Sequence, residues 1–225
     1  DVVAENFKAG TMGTFGLDYS SLSALDQSLI YLSISGFGHD SNSPYRDWPA
    51  FAPIAEAMSG LYTFNRADGE ELKVSPAGAL GDTGTGLFAV IAILAALRHR
   101  ETSGIGQYID LAMFDSMIAF ADIVPNYFSM GRDPRTPSSL INHSFKIAKG
   151  EIVIQIGREH QFKQFAELLG KEDWLNDSRF SNRDGWVRNI ELLRKTVHQW
   201  AENREPIEVC SRLASAGIAA APVFT

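Results

Sequence analysis

The chain has a single cysteine, Cys210, which rules out a disulfide within it. Basic residues are in deficit, with 20 Lys and Arg against 27 Asp and Glu and a net charge of -7. No basic stripe offsets that balance, which speaks against a nucleic-acid partner. Histidine is sparse and scattered. His39 and Asp40 are neighbours within the Gly-, Ser-, Asn-, Asp- and Pro-rich stretch from Gly36 to Pro53. No second ligand pair at useful spacing accompanies them, so this stretch reads as a solvated loop and no metal is expected. The dinucleotide fingerprint Gly-x-Gly-x-x-Gly is absent; Gly81, Gly84 and Gly86 follow another spacing, so NAD is not expected. The apolar run Leu87 to Leu97 is shorter than the roughly 20 residues a bilayer requires, and reads as a buried core helix. With no visible signal peptide or lipidation motif, the expectation is a cytoplasmic protein with no membrane partner.

What remains is the composition of a globular protein, 45% hydrophobic and 21% charged over 225 residues. That length allows one or two domains with a sizeable core. Val2-Val3 and Leu29 to Ile34 are apolar runs suited to buried parallel strands. Between them Ser20-Ser21 can cap a short helix with Leu22 and Leu25 inward. Ile54 to Leu61 reads as a helix ending at Ser59-Gly60, and Asp68-Gly69 as a turn before Lys73 to Pro76. Gln107 to Ala112 reads as a strand, and Phe114 to Tyr127 as a helix kinked or ended near Pro125. This strand–helix pattern predicts an α/β fold, part of a Rossmann-like, mostly parallel sheet over residues 1–128. A linker follows at 129–139. Residues 140–225 read as a smaller α+β domain. It has a hairpin turning at Lys149-Gly150, a helix through Phe162, Phe165, Ala166 and Leu169, one long helix over Arg183 to Ala201, a third over Pro206 to Ala216, and a final strand from Ile218. Cys210 and the tryptophans Trp174, Trp186 and Trp200 read as core.

The stretch around which the chemistry gathers is Ala79 to Leu97. Asp82 sits among glycines and is placed to N-cap the apolar helix that follows, which ends on Arg98, His99 and Arg100. The helix dipole and unpaired N–H groups keep such a carboxylate ionised, and glycine leaves room beside it for a bulky electrophile. Two readings stand: a helix cap, or a nucleophile for an acyl group with glycine amides holding the oxyanion.

Gly81-Asp82-x-x-x-Gly86, Ile91 to Leu97 and Thr102-Ser-Gly-Ile-Gly-Gln-Tyr-Ile-Asp110 resemble the core of the family III CoA-transferases. Glu5-Asn6-Phe7-x-x-Gly10 and Ser33-Ile-Ser-Gly36-Phe-Gly38 resemble two further segments of that family in the same order. The resemblance implies CoA transfer between carboxylic acids. Asp82 would be the nucleophile, passing through an acyl–aspartyl anhydride and an aspartyl-CoA thioester. Asn6, Phe7, Gly81 and Phe51 would be the CoA-binding residues; by themselves Asn6 and Phe7 read equally as a turn residue and core. Acyl-CoA and a small carboxylic acid would be the substrates, with no permanently bound cofactor, and an interlocked homodimer is implied. Tyr45-Arg46-Asp47 with Pro49 resembles another signature of the family. The related racemases place a histidine and an acid just beyond it, where this chain has Phe51 and Ala52. An acyl-CoA racemase, or a fragment without activity, are the alternatives. The family's longer chain implies that segments are missing from both ends here, and its glycine-rich lid loop would fall near Leu140 to Ser144, which has no glycine run.

Overall fold

A computed structural model describes residues 1–39, 42–63, 71, 74, 79–133 and 139–224. Asp40, the Asp68-Gly69 turn, Lys73, Ser75, Pro76 and part of the expected linker lie outside the described residues. The chain divides into two units, Asp1–Thr136 and Pro137–Thr225.

The first unit is α/β. Strands β1 (Val2–Glu5), β2 (Ile30–Ser35) and β3 (Tyr108–Ala112) form a parallel sheet in the order β1-β2-β3, with Val2 opposite Ile30 and Tyr31 opposite Tyr108. The central strand β2 is the most buried, as its unbroken apolar sequence requires. Two short helices follow β1, α1 (Thr11–Thr14) and α2 (Tyr19–Ser23). The cap of α2 is Asp18, which accepts the Ser21 N–H at 2.7 Å, and not the expected serines. Leu25 lies beyond the helix and is exposed, so it does not point inward.

After β2 come α3 (Ala52–Met58) and the long α4 (Leu80–Ser103). Helix α4 corrects two expectations. Its 24 residues reach well beyond the apolar centre at both ends, and by length and composition it could cross a bilayer. It nonetheless packs against β2, β3 and α3 as a helix of a globular unit does. Nor is its apolar run buried throughout. Ala89 and Ala96 are inside, while Leu87, Ile91 and Leu94 are 63%, 62% and 59% exposed. The helix stops at Gly104, whose φ of 71° is the left-handed conformation that glycine adopts freely.

Beyond β3, the expected single helix is two, α5 (Met113–Ala121) and α6 (Ile123–Ser129), broken at Asp122. The break puts Pro125 in the first turn of α6, where a missing N–H removes no helical bond. Helix α5 packs on both α3 and α4.

The second unit is an antiparallel sheet of β4 (Ile141–Ile147), β5 (Gly150–Ile156) and β6 (Ala219–Pro222), ordered β4-β5-β6, with the α-helices α7 (Glu159–Leu168), α8 (Arg183–Arg188), α9 (Ile190–Trp200) and α10 (Pro206–Ser215) and two short 3-10 turns between α7 and α8. In β5, Ile152, Ile154 and Ile156 are buried while Glu151, Val153 and Gln155 face outward, the alternation of a sheet with one face on a core. Phe145, Phe162, Phe165, Leu193, Val197, Val209 and Leu213 complete that core. The ring of Trp186 stacks on Phe162 at 4.4 Å, and its indole N–H donates to the Phe180 carbonyl at 2.8 Å. The long helix expected over Arg183 to Ala201 is broken at Asn189. The Asn189 side-chain amide donates to the carbonyls of Arg179 and Gly185, a local alternative to helical bonding. Asn142 to Ser144, in the expected lid region, belong to β4 and pair with β5.

Candidate functional site

The site lies wholly in the first unit, at the C-terminal ends of its parallel strands, where open α/β sheets bind ligands. A cleft of about 660 Å³ is lined there by residues from five places in the sequence, Met113 at the start of α5 among them. Asn6, Phe7 and Lys8 come from the turn after β1, Ser35 and Gly36 from the end of β2, Arg46, Trp48 and Phe51 from the loop before α3, and Asp82, Thr85 and Gly86 from the start of α4. Four of the five expected site residues, Asp82, Asn6, Phe7 and Phe51, therefore share one cavity. The fifth, Gly81, is buried and does not line it.

Asp82 is not the N-cap. Helix α4 begins at Leu80 with Ala79 as N-cap, so Asp82 is the third helical residue, exposed, in the first turn. It still stands at the positive end of the helix dipole. The glycines do not form a loop around it. Gly81, Gly84 and Gly86 lie within the helix, and the Gly81 N–H donates to Glu56 Oε1 at 2.8 Å. That amide is committed and cannot hold an oxyanion. What Gly81 supplies is closeness: a Cβ there would lie 2.8 Å from Ala52 Cα. The Thr85 hydroxyl is turned to the Gly81 carbonyl at 2.5 Å, so it too serves the helix.

Two buried carboxylates hold the two sides of the cleft. Glu5, at the end of β1, accepts the Phe7 N–H at 2.8 Å and so fixes the turn that presents Asn6 and Phe7. Its other oxygen lies 3.8 Å from His39 Nε2, and the His39 backbone N–H donates to both Asp110 carboxylate oxygens at 2.9 Å. His39 is thus a tethered residue of the loop after β2, with its side chain largely out of solvent. On the other side Glu56 accepts from Gly81 and from the Tyr62 hydroxyl. Burial, together with the bond to Glu56 and its charge, pushes the Tyr62 phenol up to about 12, so it remains a donor.

Lys8 and Arg46 line the same cleft as Asp82 and form no ion pair among the described residues. Sequence reasoning passed over Lys8, Trp48 and Glu56. A cation beside the Asn6-Phe7 turn was a visible signal for the first. Glu56 lies in Ala-Pro-Ile-Ala-Glu-Ala-Met, and nothing local marks it as buried. Cys210 is buried on α10 and burial pushes its thiol up, away from reactivity. Among the described residues no group of His, Cys, Asp and Glu could hold a metal ion.

The sequence matches the family description CoA-transferase family III over residues 1–225. It is 34% identical to a succinyl-CoA:mesaconate CoA-transferase of Haloarcula hispanica, over 99% of this chain and 57% of that protein. It is 36% identical to a succinate–glutarate CoA-transferase of Agrobacterium fabrum, over 88% of this chain and 50% of that protein. The crystal structure of a CaiB/BaiF family protein from Brucella suis superposes on the whole chain with a TM-score of 0.82 at 32% identity, covering 60% of that structure. The chain thus spans half to three-fifths of the length of these relatives.

Proposed function

The chain belongs to CoA-transferase family III, and from that premise we propose that it carries the nucleophile and one wall of the CoA site of an enzyme that moves CoA between carboxylic acids. The observation that carries this reading is the placement of Asp82. It is exposed, stands in the first turn of α4, and opens into the same cleft as Asn6, Phe7 and Phe51.

In this mechanism the Asp82 carboxylate attacks the thioester carbonyl of the donor. The C–S bond breaks, CoA leaves as thiolate, and an acyl–aspartyl anhydride remains. The thiolate then attacks the aspartyl carbonyl, the anhydride C–O bond breaks, and the donor acid departs as carboxylate, leaving an aspartyl-CoA thioester. The acceptor carboxylate attacks that thioester and re-forms an anhydride with release of CoA thiolate. Thiolate attack on the acceptor's carbonyl completes the transfer and frees Asp82. No electrons are exchanged overall and no proton need move. The apolar wall of Phe7, Trp48 and Phe51 limits water, which would otherwise hydrolyse the anhydride.

The substrates this cleft suits are dicarboxylates. Arg46 and Lys8 supply two cations to a cavity whose nucleophile is itself an anion. Lys8, beside the Asn6-Phe7 turn, suits the phosphates of CoA; the Arg46 guanidinium suits the distal carboxylate of the acid, which it can grip with two parallel bonds. The names of the two relatives, built on succinate, mesaconate and glutarate, support the same class.

The test is mass spectrometry of the full-length protein after incubation with succinyl-CoA and hydroxylamine. A mass increase on the peptide carrying Asp82 is expected, and Asp82→Ala should lose transferase activity by roughly 10³-fold or more. An unmodified Asp82 peptide together with an active Asp82→Ala enzyme would overturn the reading.

A further inference from the structure

Glu56 is 2% exposed, and among the described residues no cation pairs with it. A carboxylate out of water without a counter-ion is unfavourable unless its oxygens are bound to donors. Here both are: Oε1 accepts the Gly81 N–H at 2.8 Å, and Oε2 accepts the Tyr62 hydroxyl. The remaining compensation is the N-terminal end of α4 itself, whose partial positive charge Glu56 meets from below. Asp82 is the next residue after Gly81.

The bond joins two elements that each line the cleft. Helix α3 carries Glu56 and has Phe51 as its N-cap; helix α4 carries Asp82. The contact between them leaves no slack, because Gly81 lies so close to Ala52 that a Cβ would be 3.1 Å from the Ala52 carbonyl oxygen. A chain with Glu56 in place thus has one position for the first turn of α4 relative to Phe51.

We propose that Glu56 is a positioning residue for Asp82: by holding the Gly81 N–H, with Tyr62 holding its other oxygen, it fixes the nucleophile at attacking distance from an acyl group lying against Phe51. This rests on the assignment of Asp82 as nucleophile. Glu56 does not line the cleft, so its bond to the Gly81 N–H lies apart from the reacting groups.

The experiment compares Glu56→Ala, Glu56→Gln, Tyr62→Phe and Asp82→Ala in the full-length enzyme, measuring kcat, KM for succinyl-CoA, and thermal unfolding. A misplaced nucleophile costs on the order of 10²-fold, and that loss is expected in kcat for Glu56→Ala, with KM within about threefold. Glu56→Gln keeps an oxygen for Gly81, and its amide can donate to the Tyr62 oxygen; it should recover kcat to within roughly tenfold of wild type. Tyr62→Phe keeps the carboxylate and removes one donor, so its kcat should fall between the two. A folded Glu56→Ala enzyme with wild-type kcat overturns the proposal. So does a Glu56→Gln enzyme that folds but is no better than Glu56→Ala. If Glu56→Ala does not fold, Tyr62→Phe decides: a kcat below that of Glu56→Gln is expected, and a folded Tyr62→Phe enzyme with wild-type kcat overturns the proposal. Failure of the underlying reading is separate: it shows as activity in Asp82→Ala, whatever the Glu56 variants do.

Discussion

The two units of this chain solve the problem of burial differently. In Pro137–Thr225 the sheet's inner face, α7, α9 and α10 converge on one continuous core of isoleucines, leucines and aromatics, every member nearly inaccessible. In Asp1–Thr136 the cluster around α3 and α5 is Ala52, Ala55, Met113 and Met117, and Leu87, Val90, Ile91 and Leu94 of α4 are left exposed. The helices of the second unit are amphipathic in sequence; α4 is apolar all round. The lesson is that the second unit is built to hold itself together, whereas the first is built to surround a cleft. Its tight places are small-residue contacts and buried carboxylates beside the site, and its stability is spent on position.

The largest effect that separates the units is expected from Phe165→Ala. Phe165 is fully buried at the centre of the second unit's core and contacts Phe162. Its truncation should cost about 3–5 kcal/mol by transfer and cavity terms together. Denaturant unfolding followed by tryptophan fluorescence reads this directly, since Trp174 and Trp186 lie in the same core. A loss under 1 kcal/mol would break the comparison, for it would mean that this core can collapse around a large void.

A pair of glycines on one helix sharpens the contrast. Gly81→Ala puts a methyl 2.8 Å from the Ala52 Cα, which is backbone and cannot swing aside. It should destabilise by about 1–3 kcal/mol and reduce transfer through displacement of Asp82. Gly86 has nothing within 4 Å of its would-be Cβ, so Gly86→Ala should stabilise the chain by up to about 1 kcal/mol through helix propensity alone. Thermal melts of the two variants should move in opposite directions. A rise in both would show that helix propensity and not packing governs the start of α4.

These contrasts also show what could be read in advance. The strands β2 and β5 and the helices α7 and α10 were legible because one local pattern, an apolar run or a 3.6-residue repeat, decides each of them. Asp82, Asn6, Phe7 and Phe51 were legible as ordered motifs, although only the fold brings them to one cleft. The start of α4 was not legible. Local rules gave the cap to Asp82, but the bond that satisfies Gly81 comes from Glu56, and a long-range bond leaves no trace in a capping pattern. The same holds for Glu56, whose alanine-rich surroundings resemble a solvent-facing helix until α4 and Tyr62 close over it. The breaks at Asp122 and Asn189 failed for a third reason. Periodicity continues across each of them, and the interruption is set by backbone and amide chemistry that hydropathy does not carry.

The smallest expected effect tests the outward face of α4. Leu87, Ile91 and Leu94 are spaced to form a single stripe along the helix, and all three are more than half exposed. Their hydropathy states a preference for burial; the described residues do not meet it. Ile91→Gln should therefore change the stability of the 225-residue chain by no more than about 0.5 kcal/mol, against the several that Phe165→Ala removes. A loss above 1 kcal/mol would show that Ile91 is packed after all, and the first unit would then have a core of its own on the side of α4 away from the sheet.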